Sequence, residues 1–99
     1  MTDEQKKLIA GYMGWKKAYL SNGYHNILYN RPVVFDLNDA SFCVQEMQKR
    51  GDDYVKFIKH AYDMAFDDGK MQFHTVTAWL FNAEDFFNAM AAWIKEGKK

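Results

Sequence analysis

Apolar and polar positions alternate most regularly in residues 71–81, where every second side chain is apolar or threonine. This period of two is typical of a strand with one buried face. Asp68 and Gly69 precede the run and have the composition of a two-residue type I′ turn. Folding the chain back there places residues opposite one another in a single register: Phe66 with Met71, Met64 with Phe73, Tyr62 with Thr75, and Ile58 with Trp79. The pattern predicts a β-hairpin formed by residues 54–66 and 71–81.

Residues 54–66 also fit a helix, because their apolar positions fall on one helical face: Phe57, Ile58, Ala61, Tyr62 and Ala65. The strand is the preferred prediction, since a helix would leave residues 71–81 without their obvious partner. A strand of this length is unusual, so a bulge or bend is expected within it. Both alternatives stay open on the sequence alone.

A first helix is predicted over residues 3–13. Thr2 and Gln5 have the spacing of a capping box, in which each side chain accepts a hydrogen bond from the other residue's backbone. Gly14 fits the left-handed position that ends a helix, and Trp15 follows where a Schellman motif places its hydrophobic contact. The helix is therefore predicted from both of its ends.

Two more helices follow from cap signals. The second is predicted to begin with Asn38 or Asp39 as its N-cap and to end at Gly51. The last begins with Asn82 as its N-cap, carries a wide apolar stripe, and ends near Gly97.

Residues 24–29 and 33–35 are predicted as short strands. The expected fold is one α+β domain over residues 1–99, an antiparallel, hairpin-based sheet of two to four strands sandwiched by helices in α-β-α layers.

Composition supports a folded domain and narrows its class. Of the 99 residues 48% are hydrophobic and 17% aromatic, which is enough for a core. The numbers of basic and acidic residues are equal, 13 each, so the overall charge does not favour a nucleic-acid partner.

Cys43 is the only cysteine, which excludes an internal disulfide and Cys-based zinc sites. The N-terminus is polar and acidic, and no apolar run approaches the roughly 20 residues of a membrane span, so a soluble, cytoplasmic protein is expected.

Candidate catalytic chemistry rests on few residues. In the predicted hairpin Asp63 lies opposite His74, and a carboxylate–imidazole pair of this kind could orient a general base in a small hydrolase-like enzyme. It could equally be a surface pair. His60 lies opposite Thr77 on the other face, which argues against a shared metal site. We expect no enzyme activity, no cofactor and no metal.

A tyrosine-rich stretch is the preferred candidate for function. Tyr19, Tyr24 and Tyr29 are interleaved with asparagine and glycine, which is the composition of binding loops. Together with Trp15 they are predicted to form a protein-binding surface. The alternative is that these tyrosines cover a sheet edge or seal the core.

Several segments resemble a known family. The segment of residues 8–15 ends the first, short helix with Met13, Gly14 and Trp15, the second helix is predicted to start at Asn38 and Asp39, and residues 89–92 make the last helix alanine-rich. In this order they resemble the phage ABA sandwich domain family. The resemblance implies an α-β-α fold and a phage or prophage origin, and it brings no catalytic residues.

From the resemblance we expect a small phage- or prophage-encoded accessory protein in the cytoplasm of a bacterial host. It would act as a non-catalytic module that binds a host or phage protein, and an inhibitor of a host system fits this class. One alternative is a nucleic-acid-associated protein that uses exposed aromatics and paired lysines. Another is an enzyme built on Asp63 and His74. Self-association into a homo-oligomer is a further possibility.

Overall fold

Four helices and two small antiparallel sheets make up the part of the chain that the computed structural model describes, which is residues 1–18, 23–67, 70–71 and 82–98. The helices are α1 (Asp3–Met13), α2 (Leu37–Lys49), α3 (Asp53–Ala65) and α4 (Ala83–Lys95). The strands are β1 (Lys16–Lys17), β2 (Tyr24–Asn26), β3 (Arg31–Val33), β4 (Phe66–Asp67) and β5 (Lys70–Met71).

The larger sheet has the order β1-β2-β3, and both of its pairings are antiparallel. β2 lies in the centre and pairs Tyr24 with Val33 on one side and with Lys17 on the other. The second sheet is the pair β4-β5. Helices packed on a small antiparallel sheet confirm the α+β class.

The predicted strand over residues 54–66 is wrong, because nearly all of it belongs to α3. Phe57 is fully buried and packs edge-on against Phe86 and Trp93 of α4, with ring centroids 5.4 and 5.6 Å apart. Burying this stripe against α4 stabilises the helix, while Lys59 and Asp63 stay exposed. The contact with α4 therefore overrides the hairpin register.

Only the end of that register is present. Phe66 pairs with Met71 as predicted, and Asp67 pairs with Lys70. The other predicted pairs cannot form in this structure, since their first members Met64, Tyr62 and Ile58 are helical. The predicted turn at Asp68 and Gly69 and the rest of the predicted strand over residues 71–81 lie outside the described residues.

The first helix is confirmed with its predicted bounds and caps. The backbone N–H of Gln5 donates to Thr2 Oγ1 at 3.1 Å, and that of Thr2 donates to Gln5 Oε1 at 2.8 Å. Gly14 has a left-handed φ of 72°. The next residue, Trp15, donates its N–H to the carbonyl of Ala10 at 3.0 Å, which closes the helix end.

The second helix starts earlier than predicted, because its N-cap is Asp36 and neither Asn38 nor Asp39. Asp36 accepts the backbone N–H of Asp39 at 2.9 Å. Asp39 thus lies one turn inside the helix, where its carboxylate has another role. The predicted N-cap of the last helix is confirmed, with Asn82 Oδ1 accepting the N–H of Asp85 at 3.2 Å.

The carboxylate of Asp39 is completely buried. Its Oδ2 accepts the backbone N–H groups of Val34 and Phe35, each at 2.8 Å, and the Arg31 guanidinium lies 3.9 Å from Oδ1. Both amides belong to the segment that leaves β3. Asp39 therefore ties the sheet to the first turn of α2 and satisfies backbone groups that would otherwise be unpaired.

Aromatic contacts join the sheet to the helical core. Trp15, next to β1, packs edge-on against Phe35 with ring centroids 5.9 Å apart. Phe35 in turn meets Phe87 of α4 at 5.1 Å. Phe35 adopts a left-handed φ of 54°, which is unfavourable for a non-glycine residue and is held by its N–H bond to Asp39. The core continues into α4, where Trp93 is fully buried.

The N-cap of α2 gives a pH-dependent prediction. Asp36→Ala should lower the free energy of unfolding by about 1 kcal/mol at neutral pH, whereas Asp36→Asn keeps an acceptor and should cost less. The N–H of Asp39, helped by the charge of Arg31, lowers the pKa of Asp36 below its ordinary value of 3.8. A group whose pKa is lower in the folded state stabilises fully above its unfolded pKa and loses that contribution as the pH falls through the folded pKa.

Urea unfolding of wild type and Asp36→Asn, at neutral pH and in steps below pH 3.8, checks this. The advantage of wild type should shrink only in the acid range. An advantage that is constant with pH would show that the carboxylate charge of Asp36 contributes nothing.

Candidate protein-binding surface

The turn between β2 and β3 is built by two asparagines. Asn26 is buried, and its Oδ1 accepts the backbone N–H of Tyr29 at 3.3 Å. Asn30 donates its N–H to the carbonyl of Ile27 at 3.3 Å and has a left-handed φ of 49°, a conformation that asparagine tolerates well. These bonds give the turn a defined shape without using the side chains at its tip.

Those side chains are apolar and exposed. Ile27 is 57% exposed, Leu28 75% and Tyr29 47%. Turn tips are usually polar, and side chains as exposed as those of Ile27 and Leu28 add little to the hydrophobic stabilisation of the fold. We call residues 27–29 the apolar turn. Exposed apolar groups that cluster in this way are typical of interaction sites.

Tyr29 is fixed against α2. Its ring stacks on Phe42, with centroids 4.2 Å apart and planes at 17°. The Arg31 guanidinium lies 5.6 Å from the centroid of the same Phe42 ring. A shallow groove of about 40 Å³ separates the turn from α2, with Leu28 and Glu46 among its lining residues. Tyr29 thus presents a preordered aromatic surface, which lowers the entropy lost on binding.

The edges of the sheet do not suit strand addition. β1 consists of Lys16 and Lys17, which are both exposed, and charged edge residues oppose pairing with another chain. β3 contains Pro32, which has no backbone N–H to donate. Strands of two or three residues also offer few hydrogen bonds. A partner would therefore contact the side chains of the apolar turn more readily than the backbone of the sheet.

The structure describes three of the four residues predicted to bind, and these three lie in different environments. Trp15 is only 6% exposed and packs in the core. Tyr24 is half-buried and packs against the core, whereas Tyr29 belongs to the apolar turn. Tyr19 lies outside the described residues. Their joint role as a binding surface stays a prediction, and Tyr29 is the member whose exposure suits it.

Sequence reasoning missed Ile27, Leu28 and Phe42. Ile27 and Leu28 were missed because residues 24–29 were predicted as a strand, in which alternation would have buried one of the two side chains. The signal was the pair of asparagines at Asn26 and Asn30, which brackets a turn. The stacking of Tyr29 on Phe42 joins two elements that no local pattern connects.

The structure describes only one residue of the candidate catalytic pair. Asp63 is exposed on α3, so the cross-strand pairing on which its contact with His74 depended is wrong, and His74 lies outside the described residues. His60 is also helical, so the cross-strand position predicted for it is wrong, and its Nε2 lies 2.9 Å from Oε2 of Glu96. Burial, together with the charge of Asp39, raises the pKa of Cys43, so its thiol stays protonated and unreactive.

The part of the chain that the structure describes shows neither a metal cluster nor a membrane-spanning helix. Within the described ranges no group of three or more potential ligands could hold a metal ion. No helix among them combines the length and apolarity needed to cross a membrane. No protein-family model matches the chain, and neither a curated protein nor a solved structure shows significant similarity to it.

The exposure of the apolar turn leads to a stability prediction. Ile27→Ser and Leu28→Ser should each change the free energy of unfolding by no more than about 0.5 kcal/mol, because neither side chain is buried. Tyr24→Ala should cost more, since Tyr24 packs against the core. Thermal unfolding of the three variants checks this. A large loss of stability in Leu28→Ser would make Leu28 part of the core.

Proposed function

We propose that this chain is a small phage- or prophage-encoded accessory protein that acts as a non-catalytic binding module for a host or phage protein, in the cytoplasm of a bacterial host. The phage origin rests on the resemblance of its helix ends to the phage ABA sandwich domain family. The binding role rests mainly on the apolar turn. An inhibitor of a host system, which covers a partner's surface and needs no chemistry of its own, fits this role.

The apolar turn has the properties of an interface anchor. Its backbone bonds are made within the turn, so a partner need not reorganise it. Leu28 offers an aliphatic side chain that is 75% exposed, and the Tyr29 ring is already ordered by Phe42. Binding energy at interfaces concentrates in a few such aromatic and apolar groups. These observations support a protein partner over a small-molecule substrate.

Nucleic acid is the second candidate, and one observation favours it. Lys16 and Lys17 are both exposed on β1, beside the strand that leads into the apolar turn. Lysines next to exposed aromatics are the usual elements of single-strand binding. The balanced charge of the whole chain weighs against this candidate. The dependence of binding on salt separates the two classes of partner.

The test is affinity capture from host lysate, with and without nuclease, using wild type, Leu28→Ser and Val55→Ser. Val55 is a matched control, because it is 67% exposed but lies on α3. We expect one protein to be captured in stoichiometric amount, to survive nuclease, to be lost with Leu28→Ser and to be kept with Val55→Ser. The reason is that only Leu28 belongs to the proposed surface.

Three results would contradict the proposal. Capture that disappears with nuclease would favour the nucleic-acid candidate. Capture that is equal for all three proteins would place the interface away from the apolar turn. A dimer in sedimentation that Leu28→Ser converts to a monomer would show that a second copy of the chain occupies the turn.

A further inference from the structure

A second surface lies between α1, α4 and the end of α2, and none of its lining residues belongs to the apolar turn. It is a cleft of about 570 Å³. We call it the basic cleft, and the lining residues that matter here are Lys7, Leu8, Gly11, Tyr12, Arg50 and Lys98. Its size matches that of sites that hold a few side chains of a ligand.

Gly11 leaves the floor of the basic cleft open. Apart from its chain neighbours and the backbone of its own helix, a Cβ atom placed on Gly11 would have no heavy atom of the described residues within 4 Å. Leu8 and Ile94 line the cleft beside it and are only partly buried. The floor is therefore apolar, with room for an inserted side chain.

The charges around the cleft do not cancel. Arg50 is paired with Glu46 at 2.9 Å, and Glu4, which also lines the cleft, lies 3.9 Å from the ammonium group of Lys95. Lys7 and Lys98 make no ion pair with any residue in the described part of the chain. Two uncompensated ammonium groups thus flank an apolar floor, an arrangement that attracts negative charge.

Lys98 is held over the cleft by an unusual backbone conformation. Its φ is 60°, in the left-handed region that non-glycine residues avoid, and its N–H donates to the carbonyl of Trp93 at 2.9 Å. In this backbone conformation after the end of α4, the Lys98 Nζ lies 5.3 Å from the centroid of the Tyr12 ring. Strained residues that persist are often held for a function.

We propose that the basic cleft binds an acidic, partly apolar peptide segment of a partner protein. Carboxylates of the segment would meet Lys7 and Lys98, and an apolar side chain would lie over Gly11. A nucleic acid suits the cleft less well, because the Tyr12 ring is buried and already covered by Arg50, 4.1 Å from its centroid, so no base could stack there. This second surface goes beyond the proposed function and does not depend on the apolar turn.

Selection from a random peptide library on the immobilised full chain tests this proposal. Selected peptides should be enriched in Asp and Glu together with Leu or Ile, and their affinity should fall with rising salt. Gly11→Phe should abolish binding by filling the floor, while Gly11→Ala, the matched control, should retain it. Lys7→Glu and Lys98→Glu should each weaken binding about tenfold. Thermal unfolding of every variant confirms that it is folded.

Selected peptides without an acidic excess, or binding that survives both Gly11→Phe and Lys98→Glu, would overturn the proposal. Tighter binding of a single-stranded DNA oligonucleotide than of the selected peptides, lost in Lys98→Glu, would also overturn it and assign the cleft to nucleic acid. Leu28→Ser should leave peptide binding unchanged. Binding lost only in Leu28→Ser would place the peptides on the apolar turn, which supports the proposed function and rejects the cleft.

Discussion

The buried carboxylate of Asp39 is the interaction on which the arrangement of sheet and helices depends. One of its oxygens holds the amides of Val34 and Phe35, and the other faces the Arg31 guanidinium. A charge this deeply buried is tolerated only when it is paired and hydrogen-bonded. Because both amides follow β3 directly, the sheet has one position relative to α2. Phe35 is thereby directed to its contacts with Trp15 and Phe87 in the core.

The proposed binding surface follows from the same constraint. β3 begins with Arg31, and only Asn30 separates it from the apolar turn, so fixing β3 against α2 also sets the turn beside α2, where Tyr29 stacks on Phe42. Asn26 and Asn30 complete the backbone bonds of the turn, and the fold therefore does not need Ile27 and Leu28 for its stability. The basic cleft lies elsewhere, on α1 and α4. A partner with one apolar and one acidic region could engage both surfaces and gain affinity from each.

How well the sequence predicted each element depended on whether its signals were local. α1 and the start of α4 were predicted correctly, because Thr2, Gly14 and Asn82 act within one turn of the helix ends. The α3 segment fitted both the period of a strand and the period of a helix. The packing of Phe57 on Trp93 of α4 favours the helix. The start of α2 has several residues that can act as N-cap, Asp36, Asn38 and Asp39. Asp36 takes this role, because the carboxylate of Asp39 is used to accept the backbone N–H groups that follow β3. The apolar turn was missed because residues 24–29, which include Asn26, were assigned to a strand.

The most direct test of this account is the free energy of unfolding of Asp39→Ala, measured in urea beside Asp63→Ala, which removes an exposed carboxylate from α3. We expect a loss of about 3 kcal/mol or more for Asp39→Ala, because two amides lose their acceptor and the Arg31 guanidinium loses the opposite charge that it faces. Asp63→Ala should change the free energy by no more than about 0.5 kcal/mol. Equal, small effects in the two variants would contradict the account, since the sheet and α2 would then be held together by other contacts.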